Sequence, residues 1–372
     1  DVARDGDTIL VSPGIYHEEL VLDGKHITLA SQYWESGDED DIRRTVLDGR
    51  VPTDAGGRRR AVAVISVGYG VGRPTEESSV QNKGSEFQLP TKIVGFTIQH
   101  GDDGISCRVP IEIAHNIFTE NTDGIDYESG GGVCRHNVFR DNRDDGIDLD
   151  SATAVIIEHN VIAGSKDDGI EIRLHPYSGP TLNVVIRNNT ISDSGEDAIQ
   201  LIDYPDDSDR KIIISHNVID GTKMAAIGCT SEGIGKEDYE GASLPEPVIV
   251  HNNTFVDNHY GICGGDAMAV VNNIFWRTKK TALKKVDGES VITHNLFWKN
   301  GQQTDSSNTH KASMFHVPPQ LTDDYHLAAG SPCIDAGVAL VQLRGDVHSF
   351  EPQHRGAAFD LGAFEFASDD YQ

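Results

Sequence analysis

Positive charge is the first thing this sequence lacks. Lys and Arg total 31 against 59 Asp and Glu, a net charge of −28 over 372 residues. Phosphate backbones and anionic lipid surfaces need the opposite sign, so nucleic acid and membrane are not expected as partners. An anionic sugar polymer stays possible when a bound cation mediates the contact. Cysteine is sparse: Cys107, Cys134, Cys229, Cys263 and Cys333 are far apart, with no CxxC pair. A zinc site or a disulfide scaffold is therefore not expected, and buried free thiols are. No apolar run approaches the roughly 20 residues that span a bilayer. The opening DVARDGDTILV runs straight into folded-looking sequence, so any signal peptide is expected to have been removed already.

What is present is repetition. A β-rich stretch ending in an Asn is followed by a short polar turn and then by [D/E]-[G/A]-I. The Asn recurs as Asn116, Asn137, Asn160, Asn189, Asn217, Asn253, Asn273 and Asn295, at gaps of 21, 23, 29, 28, 36, 20 and 22 residues. The second part reads DGIS (103–106), DGID (123–126 and 145–148), DGIE (168–171), DAIQ (197–200), AAIG (225–228) and YGIC (260–263). Each unit holds short strands of alternating apolar residues and shows no helical period. A unit this small cannot close a core alone, whereas stacked copies bury a continuous one. Parallel stacking sets equivalent residues about 4.8 Å apart, within reach for one Asn amide to bond the next. The expected fold is an all-β, right-handed parallel β-helix of about ten coils. It forms a single domain over 1–372, with opening coils at 1–50, regular coils at 91–300 and a closing segment at 301–372. Histidines of the recurrent HN pairs are expected at turns beside the Asn ladder.

The ends carry a resemblance. GDTILVSPGIYHEELVLDGKHITLA (6–30) resembles the opening coil of pectin-lyase-like β-helix proteins, and YHLAAGSPCIDAG with DLGAFEF resembles the closing segment of many secreted bacterial β-helix proteins. That resemblance implies a secreted, periplasmic or cell-surface location. One scaffold hosts many chemistries, so activity has to be argued from a site.

Three insertions follow the [D/E][G/A]I strands: RLHPYSGPTLN (173–183), LIDYPDDSDRK (201–211) and CTSEGIGKEDYEGASLPEP (229–247). Placed at one corner of the cross-section, they would wall a cleft whose floor is the strand face. A further excursion at 66–90 has no assignable role.

The coils before that corner are strongly acidic. In DGIDYE, DGIDLD and DGIEIR the apolar residues point inward, so the alternate positions point out towards solvent. The outward columns are Asp126–Asp148–Glu171–Gln200 and Glu128–Asp150–Arg173; the preceding turn adds Asp123, Asp145, Asp168 and Asp197, with Asp102, Asp103, Asp144 and Asp167 adjacent. Like charges 4.8 Å apart repel by about 1 kcal/mol in water and by about 3–4 kcal/mol at an effective dielectric near 20. Turn aspartates can instead cap backbone N–H groups. The outward strand pairs have no such use, and a hard divalent cation accounts for them. Calcium, with six to eight oxygen ligands and tolerant geometry, is the expected cofactor.

Here the motif resembles family-nine pectate lyases, where an N-x-DG coil and an N-x-DDG coil hold calcium through four aspartates. Transferred by position, those ligands fall on Asp123, Asp144, Asp145 and Asp148, to which the columns add Asp126 and Glu171. The family's catalytic lysine has no counterpart, since Glu171 stands at the aligned place. The same aspartates also resemble the acid/base set of polygalacturonases, although the GHG and RIK elements of that family are absent, as is the DPH motif of alginate epimerases and lyases. Removal of the hydrogen at C5 of a uronate would need a base, for which Arg173, His175, Tyr177 and Lys166 are the candidates. Arginine is ordinarily always protonated, and its other role is to neutralise Asp150 and Glu171 or clamp a substrate carboxylate. Asp150, Asp168, Arg173, Tyr204 and Tyr239 are candidates for substrate contact. The expected activity is a calcium-dependent lyase on an acidic polysaccharide, acting as a monomer. A hydrolase using paired carboxylates, a C5-epimerase and a non-catalytic calcium- or glycan-binding β-helix are the alternatives.

Overall fold

A computed structural model describes residues 3–53, 57–68, 91–205, 208–231, 243–308, 312–350 and 356–367. The chain divides into two compact units, 1–184 and 185–372. In both, the fold is the right-handed parallel β-helix that the repeats predict. Each coil contributes one short strand to each of three parallel sheets, and each strand pairs with its equivalent one coil further on.

In the first unit the sheet carrying the acidic motifs runs through Arg58–Val67, Gly101–Cys107, Asp123–Tyr127, Ile147–Leu149 and Ile170–Leu174. Its register aligns Ile105, Ile125, Ile147 and Ile170 into one inward column, and all four are fully buried. The motif glycines sit where coils approach closely. A Cβ on Gly124 would come within 2.4 Å of the Gly146 carbonyl and 2.6 Å of the Phe139 ring. The core is stacked like the backbone: the Phe118 and Phe139 rings lie 4.8 Å apart and 7° from parallel.

The asparagine ladder forms as expected. Asn116 N and Nδ2 both donate to Asn137 Oδ1, at 2.9 and 3.1 Å, and Asn137 repeats this with Asn160 at 2.9 and 3.1 Å. In the second unit, Asn189, Asn217, Asn253, Asn273 and Asn295 bond in the same way. The residue before each ladder Asn is left-handed: His115, His136, His159, His216 and His294 have φ between 52° and 56°. A ladder amide thus supplies the bonds of a turn with no sheet partner, and the His–Asn pairs are turn residues. A second, shorter ladder was not foreseen. Asn142 Oδ1 accepts from Asn121 N at 3.2 Å, and in the other unit Asn258 and Asn300 accept from Thr222 N and Thr278 N at 3.0 and 2.8 Å.

Three other features add to the sequence reading. Two short helices, Tyr33–Ser36 and Glu39–Arg44, interrupt the opening coils. The second starts on Asp38, whose side chain accepts from Asp40 N, and its acidic first turn and basic last turn suit the helix dipole. The closing segment lies against the outer strand faces of its own unit. An antiparallel hairpin, Leu340–Leu343 with Asp346–Ser349, buries Val341, Leu343, Phe350 and Phe359 against Ile249, Ala269 and Val271. This is why Met268–Val271 reads as an unbroken apolar run: both of its faces are covered. All five cysteines are free and buried, as expected. Of the excursion at 66–90, residues 69–90 lie outside the described residues, and no helix of the described residues is long and apolar enough to cross a membrane.

Candidate metal centre

The acidic columns of the first unit are real. The strand register places Ser106 beside Asp126, Asp126 beside Asp148, and Asp148 beside Glu171. The expectation that these side chains face open solvent does not hold. Asp145, Asp148 and Glu171 retain only 4%, 9% and 7% of their exposure. They point out of the coil but lie beneath one another and beneath Arg173.

Three overlapping groups have carboxylate oxygens within 4.8 Å of one another: Asp145–Asp148–Glu171, Asp144–Asp145–Asp167 and Asp126–Asp148–Asp150. Oxygens on one Ca²⁺, each 2.3–2.6 Å from the ion, are spaced on this scale. Asp145 and Asp148 each belong to two groups. Asp123 belongs to none of them; its Oδ1 accepts the Asp145 N–H at 3.0 Å. Asp145 does the same for Asp168 N at 2.8 Å, through one oxygen only. The turn aspartates therefore have a structural role, one coil supporting the next. Asp167, not among the ligand candidates, and Asp150, a candidate for substrate contact, also fall within these groups.

Oδ1 of Asp126, Asp148 and Asp150 is buried in each case without a hydrogen-bond partner. A buried carboxylate oxygen without a partner is costly, and a cation relieves that cost. The donor set is all carboxylate, which selects a hard ion such as Ca²⁺ over zinc or copper. Arg173 is woven into the cluster. Its Nε donates to Glu171 Oε1 at 2.6 Å and lies 3.8 Å from Asp148 Oδ1 and 3.6 Å from Asp150 Oδ1.

Burial, then neighbouring negative charge, raises the carboxyl pKa values. Asp126 is pushed to about 8, with Asp103 the first contributing charge. Asp148 is pushed to about 9 by burial and then Glu171, and Asp103 to about 7 by burial and then Asp123. Asp123 rises to about 6 through burial, partly offset by the Asp145 N–H bond. These raised values set a sign. The folded, metal-free protein holds protons that the unfolded chain releases near pH 4, so stability falls as pH climbs from about 4 through about 9. The metal-free protein is expected to melt roughly 5 °C lower at pH 8 than at pH 5, and calcium should recover that loss at pH 8. Calorimetry in chelator and in calcium checks this. A melting temperature that rises over that interval would mean the carboxylates are ionised and satisfied without metal.

Of the other candidates, His175 Nδ1 accepts from Ser151 N at 3.1 Å and lies 3.7 Å from Asp150 Oδ1. Tyr177 donates to Pro180 O at 3.4 Å, and Lys166 is exposed on the turn before Glu171. Asp168 is buried. Tyr204 is half-buried in the second unit, and Tyr239 lies outside the described residues. Residues 206–207 and 232–242 of the second and third insertions also lie outside them, while the first, 173–183, is described and runs into the strand Tyr177–Arg187.

Stacked coils with a carboxylate-lined strand face define a parallel β-helix protein. The family described as "Right handed beta helix region" matches residues 80–275, more than half of the chain, and the chain belongs to that family. No curated protein matches the sequence. Among solved structures, that of pectate lyase Pel9A has 14% identity and a TM-score of 0.54 over 98% of this chain and 89% of its own. The catalytic unit of a GH87 α-1,3-glucanase from Streptomyces thermodiastaticus strain HF3-3 has 14% identity and a TM-score of 0.48, covering 84% of this chain and 62% of that one. XylC in complex with xylose has 12% identity and a TM-score of 0.46, covering 86% and 83%. At these identities the likeness is one of fold.

Proposed function

We propose that this protein is a calcium-dependent polysaccharide lyase acting on a uronic-acid polymer, outside the cytoplasm. The observation that carries the reading is the set of buried oxygens of Asp126, Asp148 and Asp150 that make no hydrogen bond, within converging carboxylate groups. Asp145, Asp148 and Glu171 would hold the ion, with Asp144 and Asp126 at the flanks and Asp123 holding the Asp145 turn in place. When bound, calcium would neutralise the uronate carboxylate and so acidify the hydrogen at C5. The match of NTDGID and NRDDGID to the family-nine motif, and the shared fold of a protein named as a pectate lyase, support this choice.

Arg173 serves as a clamp for a substrate carboxylate. Burial disfavours its charge, but Glu171, Asp148 and Asp150 outweigh that and raise the guanidinium pKa further, the reverse of what a base needs. With Nδ1 of His175 accepting from Ser151 N, a neutral ring carries its proton on Nε2, which suits it to donate a hydrogen bond to the leaving oxygen. Lys166 and Tyr177 remain as candidate bases.

The test is turnover on pectate, alginate and glycosaminoglycan, with calcium or chelator. Ultraviolet-absorbing unsaturated ends that need calcium are expected. A second reading has its own observation: Asp148 is buried beside Glu171 and Asp150, which raises its carboxyl pKa well above the usual range when no metal is bound, the direction a glycosidase general acid needs. New reducing ends without the absorbance, insensitive to chelator, would establish hydrolysis and overturn the lyase reading. Binding of calcium and polymer without turnover would make it a surface binding protein.

A further inference from the structure

One coil of the second unit reverses the charge of the motif. Residues 278–284 read TKKTALK, against NRDDGID at 142–148. Leu283 pairs with Ile262 on one side and Thr304 on the other, and Lys284 with Cys263 and Asp305. In the repeat frame Lys280 and Lys284 therefore take the places that Asp144 and Asp148 occupy in the acidic coil. Four of the chain's thirteen lysines fall within 279–285, in a protein of net charge −28. Such a concentration is not what an acidic surface gives by default.

Three of the four, Lys279, Lys280 and Lys284, line a groove of about 300 Å³ with Tyr260, Gln302 and Asp305, at the lower end of the range for small-ligand sites. Lys279, Lys280 and Lys284 face a single carboxylate there, Asp305. Lys279 and Lys280 are exposed and make no ion pair among the described residues. Their turn is pinned: Lys279 N donates to Asn258 O at 2.9 Å and Lys280 N to His259 O at 2.8 Å. Lys284 Nζ lies 5.6 Å from the centroid of the Tyr260 ring, a contact that holds a cation beside an apolar face. Burial, then the charges of Lys280 and Lys279, lowers the His259 pKa.

We propose that this groove binds the carboxylates of an anionic polysaccharide directly, without a metal ion. The proposal rests on the uronate reading above for its choice of polymer. The physical case is local: ammonium groups on a fixed turn form charge-assisted bonds to carboxylates. A long nucleic acid would instead meet the repulsion of the whole chain.

The experiment is equilibrium binding in EDTA to polygalacturonate, to the same polymer fully methyl-esterified, and to duplex DNA, with folding checked by circular dichroism. The wild type is expected to bind the acidic polymer and not the ester. Lys279→Ala/Lys280→Ala should weaken that binding about tenfold, Lys279→Arg/Lys280→Arg should keep it within about twofold, and Asp141→Asn, at an exposed residue outside both sites, should leave it unchanged. No binding by the wild type in EDTA, equal binding to the ester, equal or tighter binding to DNA, or an undiminished double-alanine variant each overturns the proposal. Absent turnover with this binding intact would sink the lyase reading alone.

Discussion

Asp148→Asn is expected to lower calcium affinity by about a hundredfold and turnover by about 10²–10³-fold, while raising the melting temperature of the metal-free protein at pH 8. The two effects share one cause. Asp148 sits between Asp126 and Glu171 in register and lies in two of the three carboxylate groups. In the absence of metal its charge is opposed by burial, by Glu171 and by Asp150. An amide of the same shape removes the cost of keeping that carboxyl protonated at pH 8, and with it one of the oxygens the ion needs. Isothermal titration with calcium, paired with melting curves in chelator, reads both. The control is Asp141→Asn, an exposed turn residue outside the carboxylate groups, expected to change neither. Unchanged calcium affinity would remove Asp148 from the site. A lower melting temperature without metal would show that its carboxylate supports the fold.

The opposite sign of the two readouts is what separates a ligand from a structural aspartate. Asp145 could not make that separation. It accepts the Asp168 N–H and shares two carboxylate groups, so Asp145→Ala loses a turn bond and a ligand together. The strand aspartates have no such double role, and Asp148 is the better probe for that reason.

The coil periodicity was legible because stacking makes equivalent positions solve the same problem. Each ladder Asn must satisfy a turn, each motif isoleucine must fill one layer, and each must therefore recur. The short second ladder escaped notice because Asn121, Asn142, Thr222, Asn258, Thr278 and Asn300 vary in type: an asparagine on either side suffices to bond its neighbour's main chain. The helices at 33–44 carry their own capping and charge signals, but they belong to no repeat and so fall outside the pattern. Burial of the acidic columns was hidden for another reason. Alternation tells which side of a strand a residue faces, while its exposure depends on what the neighbouring coils lay over it, here Arg173 and the adjacent carboxylates. The lysine coil at 278–284 was obscured by its divergence from the [D/E]-[G/A]-I consensus, and the paired registers are what align it.

Asn137→Ala is expected to cost about 3–5 kcal/mol of stability without touching the acidic face. Asn137 is 1% exposed. Its Oδ1 accepts from Asn116 N and Nδ2, and its Nδ2 donates to Ile113 O at 2.9 Å and to Asn160 Oδ1 at 3.1 Å. Alanine removes the bonds to the buried Asn116 N–H and Ile113 carbonyl of the preceding coil, at about 1–3 kcal/mol each, and opens a small void. At roughly 2–4 °C per kcal/mol the melting temperature should drop by about 10 °C. His136→Asn, one residue earlier, should cost far less. That position has φ 55°, which asparagine tolerates well, and the loss is confined to the His115–His136–His159 stack. Thermal unfolding followed by circular dichroism compares the two. Equal costs would mean that ring stacking, rather than the amide ladder, holds this corner of the coils. A loss at Asn137 under about 1 kcal/mol would mean that water replaces the amide there, and that the ladder follows from the coil geometry instead of enforcing it.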